Sequence, residues 1–246
     1  DQDCRLGTFK SVYGELKACL RSSVTWEAPK LPAPATYDLG KLDEAGRANL
    51  ITHLETDVQH LPAYPADTYF AGKALARDAQ LLQLAKTRNR LVPEMRTWTN
   101  PAGCATPGAA RCFFYDQNNH GVVGLVATFG SDEFNDHHFH YGYFLYAAAL
   151  VAMDDPNLVS EMAPVMTLLS SDIARPVASD RFPALRVYDA YASHSWASGT
   201  SPFADANNQE STSEAVAAWM GLRLWAGVSG DQALADQAAW MQSSEA

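Results

Sequence analysis

The sequence has no apolar run near the roughly 18 residues that a membrane-spanning helix needs. Positive charge is scarce: 18 Lys and Arg stand against 28 Asp and Glu, a formal net charge of -10. That balance argues against nucleic-acid binding, where basic side chains neutralise phosphates, and against docking on anionic membranes. A neutral substrate such as an uncharged sugar is compatible with it. Cysteine is limited to four residues with no C-x-x-C pair, so zinc-knuckle spacing is absent. There is no G-x-S-x-G elbow for a nucleophilic serine. No internal repeat, low-complexity tract, initiator Met or signal peptide occurs. The opening DQDCRLG and the closing WMQSSEA, which reads as mid-helix, are taken as cut ends.

What is present supports a folded core: 47% of the 246 residues are hydrophobic. The four cysteines allow three pairings. Cys4–Cys19 and Cys104–Cys112 would each close a short loop, so two disulfides and an extracellular setting are read, against four free buried thiols. Thr8 to Pro29 alternates β-branched and aromatic residues around Gly14 and reads as one or two strands. PKLPAPATYD is a proline-rich connector.

Helical period follows. Ile51, Leu54, Val58 and Leu61 share one face, and PAYPAD ends that helix. Ala71, Leu75, Ala79 and Leu82 form a second stripe running toward Arg90. NPAGCATPGAARC is a loop. CFFYDQNNHGVVGLVATFG reads as a hairpin turning at Asn118 to Gly121. Tyr141 to Met153 carries no charge, so its helix is expected to be buried on all sides. Leu158, Met162, Val165 and Leu169 mark an amphipathic helix. Residues 174–209 form a long irregular stretch, and loops of that length are usually functional. Helices are expected near Ser211–Ala226 and Ser229–Ser243, the latter opened by Ser229 with Gln232. Buried and amphipathic helices alternate, which predicts a mainly α protein with inner helices wrapped by outer ones.

Three segments could carry chemistry. FNDHHFHYGYF holds His137, His138 and His140 beside Asp136. The histidines are too crowded for zinc spacing on a helix; on a strand, His138, His140 and Asp136 could share a face. The competing readings are imidazoles that only bond neighbouring backbone, and a polar floor of His138, His140 and Tyr141 for sugar hydroxyls. In NNQESTSEAVAAW, Glu210 and Glu214 are four apart, on one face if helical. Ser211 to Glu214 also spells a capping box, which would use Glu214 but leave Glu210 unexplained. In DAYASHSWASG, Asp189, His194 and Trp196 sit in a loop, where Trp196 is either a sugar-stacking platform or a core plug.

FNDHHFHYGYF, AYASHSWASG and NNQESTSEA, in this order and spacing, resemble glycoside hydrolase family 81, the inverting endo-β-1,3-glucanases. DTYFAGKALARDAQL and DRFPALRVYD fit the same family more weakly. The resemblance implies a secreted, monomeric enzyme without metal or other cofactor, acting on β-1,3-glucan. It implies a chain made of the end of a small β-containing connecting domain (1–35) and the first part of an (α/α)6 catalytic barrel (36–246). Asp136 is then the general acid, Glu210 the general base and Glu214 its assistant. His138, His140, Tyr141, Asp189, His194, Trp196 and Asn208 are expected to bind substrate. Two positions depart from the family pattern: Ala192-Ser193 and Ala206 stand where glycines are expected. An inverting pair needs carboxyl groups about 6.5–9.5 Å apart on opposite sugar faces. Helix neighbours such as Glu210 and Glu214 cannot supply that alone, so Asp136 from a distant loop is the natural partner. Burial against Phe134, Phe139 and Tyr141 is expected to raise its pKa, leaving Glu210, beside Asn207, Asn208 and Gln209, to activate water. The alternative is a β-glucan-binding or inactive fragment.

Overall fold

The computed structural model describes residues 4–11, 14–20, 29–82, 84, 87–200, 204 and 206–246. Strands β1 (Thr8–Ser11) and β2 (Gly14–Lys17) pair antiparallel, and the Cys4–Cys19 disulfide joins the segments flanking them. The remainder of the strand reading, residues 21–28, lies outside the described residues. The proline-rich connector has no helix or strand, and prolines leave it free carbonyls. Arg223 donates to Leu31 O (2.7 Å), Gln242 to Pro32 O (3.1 Å) and Tyr146 to Ala35 O (3.0 Å), which strap it to the helices.

Helix α1 (Glu44–Gln59) is capped by Asp43, whose carboxylate accepts from Gly46 N. It lies where periodicity puts it, yet none of its residues is buried and Ile51 is 56% exposed. Helix α2 (Thr68–Leu82) does bury its stripe, with Ala71, Leu75 and Ala79 wholly enclosed. It stops at Leu82 instead of running to Arg90; a separate helix, α3 (Arg88–Trp98), follows with Pro93 inside it. The Cys104–Cys112 disulfide closes the next loop. It leads to the expected hairpin of β3 (Phe113–Asp116) and β4 (Gly121–Gly124).

Helix α4 (His137–Asp154) is the centre of the molecule, with 15 of its 18 residues buried. It starts four residues before the charge-free run. Helices α2, α5 (Val159–Ala174) and α6 (Thr212–Ser229) pack around it, and α7 (Gln232–Glu245) packs on α6. The α4–α6 crossing is close because small residues meet there. A Cβ on Gly142 would lie 2.4 Å from Ala218 Cα, and one on Gly221 would lie 2.6 Å from Gly142 O. Between α5 and α6, the described residues of 175–211 are irregular except for a two-residue ribbon of β5 (Tyr188–Asp189) and β6 (His194–Ser195).

The start of α7 differs from the sequence expectation. Ser229 ends α6, donating to Ala226 O, and Gly230 (φ 80°) terminates it in the left-handed conformation. Asp231 caps α7 by accepting from Leu234 N.

Candidate active site

Asp136 is the last residue before α4 and has left-handed backbone, φ 57°. Its carbonyl accepts from His140 N, beginning the helix, and its N–H donates to Ala197 O at 2.9 Å. The side chain is 6% exposed. Oδ2 accepts from Asn135 Nδ2 at 2.9 Å, whereas Oδ1 is buried without a partner. Burial, then the charges of Glu210 and Glu214, push its pKa up to about 7. A carboxyl so placed keeps its proton near neutrality, as a general acid must. The expectation of a raised pKa is met, with the two glutamates adding to burial.

Glu210 is exposed, at the end of the irregular segment, and also has φ 57°. Glu214 lies one helical turn further on, in α6. The capping box is half formed: Ser211 Oγ accepts from Glu214 N, but Ser211 N donates to Gln209 O instead of to the Glu214 carboxylate. That carboxylate is free for other work. Its Oε1 accepts from Tyr69 (3.0 Å) and Tyr143 (2.5 Å), with Lys73 Nζ at 3.8 Å. The sequence reading missed Tyr69, Tyr143 and Lys73. Tyr69 and Lys73 do lie in the weaker DTYFAGKALARDAQL block, which was the available signal.

The three histidines diverge. His137 is held between Asp172 Oδ2 (Nδ1, 2.6 Å) and Ser131 O (Nε2, 2.7 Å). His138 stacks on Trp219 at 5.6 Å and neither of its ring nitrogens has a partner. His140 Nδ1 bonds Thr68 Oγ1 at 2.8 Å. Burial, followed by the charge of neighbouring histidines, lowers His138 and His140 to about 3, so both rings are neutral. Among the described residues no group of three or more His, Cys, Asp or Glu is placed to hold a metal. Tyr141 donates inward to Val122 O at 2.6 Å. His138, His140 and Tyr141 are all 0% exposed. All three lie on α4, which is buried on nearly every side, so the helix encloses them whichever way they face.

The loop residues divide by role. Asp189 accepts from Tyr191 N and Ala192 N with Oδ1, and from Trp196 Nε1 with Oδ2. Its pKa is lowered first by the Ala192 backbone bond. It organises the loop and fixes the indole. Trp196 is half-buried with His194 edge-on at 4.5 Å, and it borders a cavity of about 450 Å3 with Phe134, Glu133, Arg186 and Asn207. Asn208 is exposed, and its carbonyl accepts from Ala197 N at 2.8 Å. Ala197 therefore bonds both the Asp136 segment and the segment that leads to Glu210.

A buried, protonatable carboxyl held near an exposed carboxylate is the equipment of acid–base hydrolysis, carried here on a mainly helical scaffold. The chain belongs to glycosyl hydrolase family 81: residues 41–246 match the family's C-terminal domain. A glucan endo-1,3-beta-D-glucosidase of Acetivibrio thermocellus is 38% identical over 228 residues, 88% of this chain and 29% of that protein. One from Thermobifida fusca is 40% identical over 195 residues, 74% of this chain and 25% of that protein. The solved structure of a glycoside hydrolase family 81 protein from Clostridium thermocellum, a Glu-to-Ala mutant, superposes with a TM-score of 0.75. It is 34% identical, and the match covers 97% of this chain and 35% of that one. The fold is thus part of an (α/α)-barrel type, and the chain spans between a quarter and about a third of the length of these relatives.

Proposed function

We propose that this chain carries the acid–base centre of a secreted enzyme that hydrolyses β-1,3-glucan within the chain, with inversion. Asp136 protonates the leaving oxygen, and Glu210 takes a proton from the attacking water on the other sugar face. Glu214, held by Tyr69 and Tyr143, assists Glu210. The observation that carries this reading is the Asp136 carboxyl, pushed up to about 7 by burial and by the charges of those same two glutamates. The relatives' printed names supply the substrate.

His194, Trp196 and Asn208 contact glucan, Asp189 sets the Trp196 ring, and His138, His140 and Tyr141 act through Asp136. Residues 1–35 are the end of a connecting domain and 36–246 the first part of the catalytic barrel. Two disulfides suit an oxidising, extracellular setting, and no helix among the described residues is long and apolar enough to cross a membrane. The enzyme works as a monomer without cofactor.

Reducing-sugar release from laminarin by the natural polypeptide that bears this chain tests the proposal. Asp136→Asn and Glu210→Gln are each expected to lower kcat by about 10²–10⁴-fold, as for loss of a general acid or base, with glucan binding retained. Near-normal turnover in either variant overturns the assigned roles. The second reading is a glucan-binding or inert fragment. It predicts no sugar release by wild type.

A further inference from the structure

We propose that Glu245 is the positioning residue for both catalytic carboxyl groups, an inference that rests on the roles given above to Asp136 and Glu210. Glu245 is 5% exposed, near the end of α7. Its Oε2 accepts from Ser195 N at 2.7 Å and Trp219 Nε1 at 3.2 Å. Its Oε1 accepts from Ser195 Oγ at 3.1 Å and Gln209 Nε2 at 2.9 Å. The donors come from β6, from the segment before α6 and from α6 itself.

Each donor leads to the site. Gln209 directly precedes Glu210, whose left-handed backbone must be held in place. Ser195 lies two residues before Ala197, which accepts from Asp136 N and donates to Asn208 O. Trp219 carries the stacked His138 ring, two residues after Asp136. Glu245 therefore fixes the strand against which the acid and base segments both register. It is buried and acts only through these neighbours.

The carboxylate meets four donors with its two oxygens. A glutamine replaces one acceptor oxygen with an NH₂ group and sets donor against donor.

The test is steady-state kinetics on laminarin, in the natural polypeptide bearing this chain, of Glu245→Gln, Gln209→Ala and the double variant, with folding followed by circular dichroism. Each single variant should lower kcat roughly 10- to 100-fold, the scale of sub-ångström to ångström misplacement, while KM stays near wild type. The double variant should be no slower than Glu245→Gln, because Gln209 acts through its bond to Glu245. A purely stabilising role would lower Tm and leave kcat intact. If Glu245→Gln does not fold, Gln209→Ala decides, since it leaves the other three donors in place. Wild-type kcat in a folded single variant, a loss carried by KM, or additive effects overturn the proposal. Asp136→Asn and Glu210→Gln run alongside. Activity in those two sinks the functional reading; inactivity in them with normal Gln209→Ala sinks only the positioning role.

Discussion

Asp136 and Glu210 hold the same left-handed backbone, each at φ 57°, and Ala197 ties the segments that carry them by one hydrogen bond to each. A left-handed residue other than glycine costs on the order of 1–2 kcal/mol, and such strain persists where the surroundings over-determine it, often at functional sites. Here those surroundings are the ribbon, Ala197 and the Glu245 bonds. The two carboxyl groups differ in environment, not in backbone: Asp136 is buried and Glu210 exposed.

The Asp136 carboxyl gives the protein a pH-dependent stability with a definite sign. Its folded pKa of about 7 lies above the ordinary 3.8. Below about 4 the group is protonated folded or unfolded. Between the two values the unfolded carboxyl ionises first, so stability is lost as pH rises. Thermal melts should show Asp136→Asn more stable than wild type at pH 8, on the order of 2 kcal/mol, and the advantage should vanish near pH 4. Equal advantage at both pH values contradicts the raised pKa.

His138 and His140 act in the opposite direction. Both are held down to about 3 from an ordinary 6.5. As pH falls from about 6.5 toward 3, the unfolded rings take protons that the folded ones refuse, and stability is lost at roughly 1.4 kcal/mol per pH unit for each. His138→Phe keeps a ring against Trp219 and should flatten denaturant-measured stability over that window by one proton's worth. An unchanged slope would mean that His138 titrates normally.

The two positions where the family resemblance leads us to expect glycine fall on left-handed backbone: Ser193 has φ 65° and Ala206 φ 71°. Ser193→Gly and Ala206→Gly should each stabilise by about 0.5–1 kcal/mol, the relief of strain less the added freedom of the unfolded chain. Chemical denaturation reads this directly, and destabilisation by either change speaks against those backbone conformations.

The helix crossing predicts contrasting glycine substitutions. Gly142→Ala would place a methyl 2.4 Å from Ala218, and should cost about 2–3 kcal/mol through forced separation of α4 and α6. Gly227 in α6 has nothing within 4 Å of an added Cβ, so Gly227→Ala should stabilise by about 1 kcal/mol. A tolerated Gly142→Ala would show that the two helices are not in close contact.

Much of this fold was legible because local pattern and burial agree. Met162, Val165 and Leu169 are buried on α5 and Leu158 is buried in the turn just before it, and the turn residues placed the β3–β4 hairpin. Helix α3 was not legible, since Pro93 removes a backbone donor inside it. The stripe on α1 was legible but buries nothing among the described residues. Asp136, Glu210 and Glu214 stood out by family resemblance, and their motifs lie in separate segments that α4 and α6 bring together. Which of their neighbours would partner them was not legible, because the pairs are distant in sequence: Tyr69 and Glu214 are 145 residues apart, and Ser195 and Glu245 are 50 apart. The histidines drew attention through clustering, whereas their burial follows from the helix that begins at His137.

The central claim is hydrolysis by a water that Glu210 activates on the face opposite Asp136. Proton NMR of the first products released from laminarin, recorded before mutarotation, tests it most directly. The α-anomer is predicted at the new reducing end. The β-anomer as first product would mean retention, and would contradict the assignment of Asp136 as acid with Glu210 as base.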